Sequence, residues 1–292
     1  MPRREAYSAV AVREHMRNFF WAFWLGWQVE ANWAHPALFA LYSVVKPLAS
    51  CLIITVMYMV ATGGRSSREL FASIYVGNAF FTLVTGSLLG LSMVLHAERE
   101  HYQTLKYIFL ATSNLHIYLC GRAAARMITS VVSVIVMLVF GACVLHIPLT
   151  LAAIDYPLLL AALLLGLFCT VGFGLILAGI SMKTAMHNFF FSESASALLF
   201  FLSGVIFPLS VLPQFLQKLS LCFPFCYWME IIRRAVLPAY QSDAVMSAFS
   251  TSSLLCTFSV MSMLLLLISI FFFKALENEM RRDGTIDMTT AY

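Results

Sequence analysis

The side chains best equipped for chemistry crowd into one short stretch. HAEREHYQTLKYI, residues 96–108, carries Glu98, Arg99, Glu100 and Lys106, with long apolar runs on either side. Read as a helix over 98–109, it places Tyr102, Leu105 and Phe109 on one stripe and Arg99, Gln103 and Lys106 on another. That is a short amphipathic helix for a membrane surface. Mixed charges beside exposed aromatic rings suit a docking surface for another protein. A solvated loop that merely supplied basic residues to the cytoplasmic side would have no use for two glutamates.

Two further charges, Lys46 and Glu193, lie inside apolar runs. A lysine at the centre of a spanning helix costs about 2.5–3.5 kcal/mol on insertion scales, so a partner or cavity is expected. Lys46 and Glu193 either face a central pathway, as a pair or singly, or snorkel to the inner headgroups. The chain has no G-x-x-x-x-G-K-[ST] phosphate loop and no His-Glu-x-x-His. The histidines at 15, 35, 96, 101, 116, 146 and 187 sit mainly near the ends of apolar runs, as interface polar groups do, and not in metal-ligand spacing. Catalysis, a resident metal and nucleic-acid binding therefore find no support in the sequence.

Whatever positions these residues must do so in lipid. The chain is 61% hydrophobic and 11% charged, against about 25% charge in soluble domains. A bilayer core takes about 20 apolar residues per helix. Six stretches qualify: 37–62, 70–95, 117–147, 156–182, 189–207 and 248–273. Arg122 and Arg126 in the third fall at or below the headgroups, leaving 127–145 as its span. The expected fold is an all-α integral membrane protein with six transmembrane helices.

Lys and Arg set the orientation. Twelve (Arg3, Arg4, Arg13, Arg17, Arg99, Lys106, Arg122, Arg126, Lys183, Lys274, Arg281 and Arg282) fall on one side, against five (Arg65, Arg68, Lys218, Arg233 and Arg234) on the other. Both termini and the 96–108 stretch are thus cytoplasmic, in a multi-pass protein of the plasma (inner) membrane. Residues 1–36 form a cytoplasmic amino terminus, 37–274 the transmembrane domain and 275–292 a cytoplasmic tail. NFFWAFWLGWQVEANW, 18–33, is too interrupted to span. Its Phe20, Phe23, Trp24, Trp27 and Ala31 recur at helical spacing, the mark of an interfacial helix. The alternative is a plain hydrophobic run before the first span. Five cysteines lie in apolar runs as small hydrophobic residues, and a Cys222–Cys226 disulfide stays open.

Residues 203–238 read SGVIFPLSVLPQFLQKLSLCFPFCYWMEIIRRAVLP. Prolines at 208, 213, 224 and 238 break the run, so 211–222 and 225–236 each make about three turns of helix, too short to cross. A re-entrant hairpin on the external side (about 208–237) accounts for this. A plain external loop would leave Phe223, Phe225, Tyr227 and Trp228 exposed.

This stretch resembles the carboxy-terminal signature of type 2 ATP-binding-cassette exporter permeases: S-G-x-x-x-P, then L-P, an aromatic-proline turn, and a helix ending in Arg before the last span. Ser203, Gly204, Pro208, Leu212, Pro213, Phe223, Pro224, Tyr227 and Arg233 stand at the matching places. EREHYQTLKYIFLATSN is similar to the family's cytoplasmic segment, where a Glu-rich start runs into Gly-Thr-Leu. Thr104 and Leu105 match, whereas Gln103 replaces the Gly and Asn114 a proline. The resemblance implies a coupling helix at about 97–109, using Glu98, Arg99, Glu100, Tyr102, Thr104, Leu105 and Lys106, that rests on an ATPase. It implies an external gate built on Ser203, Gly204, Pro208, Pro213, Pro224 and Tyr227. It also implies a cytoplasmic ATPase dimer that holds the ATP and Mg, a second permease copy or related chain, and export of a small amphipathic molecule, lipid or glycan. A non-transporting scaffold or sensory subunit, and an ATP-independent channel or secondary carrier, are the other classes compatible with the residues alone.

Overall fold

A computed structural model describes residues 2–31, 36–63, 67–111, 115–183, 188–237, 240 and 242–284. Among the described residues the regular structure is helical throughout. Lipid offers the backbone no hydrogen bonds, so apolar runs of this length satisfy themselves as helices.

The helices are α1 (Pro2–Ala31), α2 (Pro36–Thr62), α3 (Arg68–His96), α4 (Leu105–Ala111), α5 (Leu115–Cys143), α6 (Tyr156–Lys183), α7 (Asn188–Leu202), α8 (Gln214–Leu221), α9 (Pro224–Val236) and α10 (Thr251–Asp283). A π-helical turn, Ala97–His101, prolongs α3. The bundle forms around α3, which is buried almost throughout and packs on α5, α6, α7 and α9. α10 lies along α6, and α1 along α5. The outer helices α2 and α10 turn broad apolar faces outward, with Ile53, Val60, Ile268 and Phe271 among the exposed residues. In a chain whose solvent is lipid, such a surface is the expected exterior.

Small residues make the α1–α5 crossing. A Cβ added at Gly121 would come within 2.6 Å of the Phe19 carbonyl, and one at Gly26 within 2.9 Å of Ala125 Cβ. Backbones approach this closely only where side chains are absent or minimal. The Glu30–Arg126 ion pair, at 3.3 Å, closes the same contact farther along.

Several expectations need correction. The interfacial element does not begin near Asn18: α1 is one helix from Pro2, packed by its small-residue face, with Phe20, Trp21 and Trp24 exposed. Asn32 and Trp33 of that expected element lie outside the described residues. Among the described residues, five helices are long and apolar enough to cross a membrane by length and composition: Ser43–Thr62, Arg68–His101, Leu115–Cys143, Tyr156–Ser181 and Thr251–Asp283. The expected span over 189–207 is α7, 15 residues long. At 1.5 Å per residue it covers about 22 Å of a core about 30 Å thick. It stops because Gly204 takes a left-handed φ of 66°. α10 runs on beyond Phe273 to Asp283, so the expected tail begins as helix, and residues 285–292 lie outside the described ones.

Candidate functional site

The charged stretch is not one helix. The π-turn ends at His101, Gln103 adopts φ 53°, and α4 starts at Leu105. A left-handed φ is a position that favours glycine, because an L side chain there crowds the carbonyl. The glycine of the resembling pattern is therefore explained by the backbone, which this chain forms with Gln103. Thr104 stands before α4, its carbonyl accepting from the Tyr107 and Ile108 amides at 3.0 and 3.1 Å.

Nor do all the charges face outward. Glu98 and Arg99 are only 5% and 7% exposed. Glu98 Oε1 accepts from the Tyr118 hydroxyl at 2.7 Å and pairs with Arg122 Nη2 at 3.2 Å. The Thr104 hydroxyl donates to Glu98 Oε2, and the Thr104 amide to the Glu98 carbonyl at 2.8 Å. One carboxylate thus ties the end of α3, the left-handed turn and two positions of α5 together. Arg99 Nε lies 3.2 Å from Glu100 Oε1. The sequence reading placed Arg122 near the headgroups without a partner and passed over Tyr118, although their spacing of four, continued to Arg126, was the available sign of a polar stripe on α5.

Leu105 anchors the inner side of α4. It is buried in a cluster with Leu95, Leu115, Leu119, Phe273 and Met280, so the end of α10 also supports the turn. The outer side presents His101, Tyr102, Gln103, Tyr107 and Leu110, the last 85% exposed. Lys106 belongs to α4, but its side chain, like Asn114, lies outside the described residues.

The second constellation centres on Arg233, which the sequence matched to the family pattern without assigning it a role. Its Nη2 donates to the Gly204 and Val205 carbonyls at 2.7 and 3.0 Å, and its Nε to the Ser73 carbonyl at 3.2 Å. α9 is thereby fastened to α3 and to the turn after α7. Gly77 makes the room, since a Cβ there would lie 2.7 Å from Arg233 Nη2. Ser203 donates its hydroxyl to the Leu199 carbonyl, and Pro208 lines an adjoining cavity of about 280 Å³ together with Glu69, Glu230 and Asp243. Pro213 caps α8 and Pro224 opens α9 at a position where its missing N–H costs nothing. Tyr227 donates to the Leu221 carbonyl at 3.1 Å, bracing α8 on α9. Pro238 lies outside the described residues.

Glu230 sits at the centre of this end. It accepts from Arg234 Nε at 2.9 Å and from the Tyr240 hydroxyl at 2.7 Å. Burial foremost, with Glu230 adding to it against the pull of Arg233, pushes the Tyr240 phenol up to about 12. Tyr240 therefore remains a donor throughout the physiological range. Cys222 and Cys226 are free thiols, and Cys226 donates inward to the Ser220 carbonyl at 3.1 Å.

Residues 17–237 match the family model of the ABC-2 type transporters. The chain belongs to that family. The match takes in more than half of the chain, from α1 to the end of α9, and so includes both constellations. Comparison with individual curated proteins gave no match. An ABC-2 type transporter is the membrane component of a transport system that works with an ATP-binding cassette, and is not itself catalytic. With its five long apolar helices, this one is a multi-pass membrane protein. Lys46 and Glu193 are both exposed on the single chain, on α2 and α7, and neither lines the cavity beside Arg233.

Proposed function

We propose that this ABC-2 type transporter is the permease subunit of an ATP-driven exporter. It moves a small amphipathic molecule, lipid or glycan out of the cell by alternating access. ATP and Mg are held by a separate cytoplasmic ATPase dimer, and a second copy or a related chain completes the membrane pathway. In this reading α7 and the turn after it provide the sixth crossing, both termini are cytoplasmic, and the protein resides in the plasma (inner) membrane. Residues 97–111 receive the ATPase.

The observation that carries the reading is the Glu98 knot. An exposed patch of His101, Tyr102, Tyr107 and Leu110 is held rigidly to α3 and α5 by a buried carboxylate and the Leu105 cluster. Force applied to such a patch is delivered to two long helices at once. The Arg233 end, tied to α3 as well, supplies the external gate, and Lys46 and Glu193 face the second subunit or the pathway between the two.

The test is reconstitution of the protein with its candidate ATPase in proteoliposomes. Expected are co-purification of the two and ATP-dependent, outward movement of an amphipathic reporter. A stable complex without any ATP-dependent transport would overturn the exporter reading in favour of a scaffold.

A further inference from the structure

A larger cavity, about 480 Å³ in volume, opens between α1, α5 and α6 and reaches α9. Phe20, Phe23, Met127, Val131, Leu167 and Trp228 line it. Among the described lining residues, only Thr170 and Trp228 carry side-chain N or O atoms, and both are engaged within the chain. The Thr170 hydroxyl donates to the Leu167 carbonyl at 3.0 Å, and Trp228 Nε1 to the Ala162 carbonyl at 2.8 Å. Gly166 lets the indole sit directly against α6, for a Cβ there would come within 2.5 Å of the ring.

Water finds no partner in such a space, and a void of this size sacrifices contacts that a close-packed interior normally makes. The occupant is therefore apolar. The charge beside the cavity says more. Arg13 and Arg17 are exposed on α1 and share one helical stripe with Phe20; Glu14, also exposed, neighbours Arg17 at a spacing of three, and the two arginines outnumber it. Arg17 stands about 4.5 Å and Arg13 about 10 Å along the axis from Phe20. Two cations thus lead onto an aromatic wall, beside the exposed Trp21 and Trp24 that suit a headgroup zone.

We propose that the cavity holds an acyl chain of a resident anionic phospholipid whose phosphate is met by Arg13 and Arg17. The lipid fills the space that the small-residue crossing of α1 and α5 leaves open towards α6, and so fixes α1 to the bundle. This does not depend on what the protein transports, and its test reads lipid binding alone.

The purified full chain is stripped of lipid in detergent. Phosphatidylglycerol or phosphatidylcholine of matched chains is then added back, and the intact protein is weighed by native mass spectrometry. Expected is one phosphatidylglycerol retained per chain, with a preference of about tenfold or more over phosphatidylcholine, since each basic residue at a membrane surface contributes about 1 kcal/mol towards anionic lipid. R13Q/R17Q should bring the two lipids level. Val131→Phe, which fills the cavity, should abolish retention of both at unchanged Tm. Equal retention of the two lipids by the unaltered protein would overturn the proposal, as would undiminished retention by a folded Val131→Phe protein. Should that variant fail to fold, the lipid preference of the unaltered protein decides.

Discussion

At Glu98 the cost of losing the charge falls on a neighbour. Arg122 is buried, and its Nε and Nη1 have no hydrogen-bond partner among the described residues, so the carboxylate is what balances the guanidinium. Glu98→Gln keeps an acceptor for Tyr118 but leaves that cation uncompensated. Breaking a buried pair from one side costs about 3–5 kcal/mol. Thermal unfolding in detergent should show a clear fall in Tm for Glu98→Gln, partly recovered when Arg122→Gln is added. Strict additivity of the two changes would contradict the pairing. Gln103 makes the opposite prediction. At φ 53° a glycine relieves crowding, while a β-branched residue increases it. Gln103→Gly should therefore raise Tm slightly and Gln103→Val lower it, by about 1 kcal/mol each way. The charges of this stretch were plain in the sequence, and so was the odd Gln103. Their direction was not, because a stripe drawn over 98–109 assumes a continuous helix. The π-turn carries α3 on through Glu98 and Arg99, which face inward, and the left-handed Gln103 resets the phase only before α4.

The long elements were legible because hydropathy over some twenty residues is a strong signal in a chain dissolved in lipid. α2, α3 and α6 begin and end within a few residues of where the apolar runs do. α7 was not, since apolar residues continue through Ser203 and Gly204 after the helix has ended, and hydropathy cannot see a φ of 66°. The short helices after α7 were marked by their prolines, and α8 and α9 start directly after Pro213 and at Pro224. What fastens them was hidden, because Arg233 bonds to carbonyls, which every residue has. Charge-assisted bonds contribute about 1.5–3 kcal/mol each, so Arg233→Met should detach α9 from α3 in part. Cys226, buried on α9, reports this directly: a maleimide should leave it unlabelled in the unaltered protein and label it in Arg233→Met, while the exposed Cys222 labels in both. Gly77→Ala, which pushes on the same guanidinium, should act in the same direction and add little in the Arg233→Met background. Unchanged Cys226 labelling in Arg233→Met would show that α9 is held without the Arg233 bonds.

Across the whole molecule, the proposed mechanism separates residues that hold the fold from residues that meet a partner, and the two classes should respond differently. Lys46 is exposed on α2, so Lys46→Met should lower transport in proteoliposomes if it faces the pathway. Unchanged transport would return Lys46 to a headgroup role. The stronger separation is at the turn before α4. Leu110 and Tyr107 are exposed, whereas Leu105, two residues before Tyr107, is buried among Leu95, Leu115, Phe273 and Met280. In the proposed mechanism the exposed Tyr107 and Leu110, beside the charged turn, make the partner contact. Tyr107→Asp with Leu110→Asp adds charge where solvent already reaches, so the isolated protein should unfold at its usual temperature. Co-purification with the ATPase should be lost, and with it any stimulation of ATP hydrolysis by cargo. Glu98→Gln should do the reverse, lowering Tm while leaving much of the outer patch in place to bind. If the double aspartate variant still captures the ATPase at full yield, the patch is not the contact. The knot beneath it would then serve the fold alone.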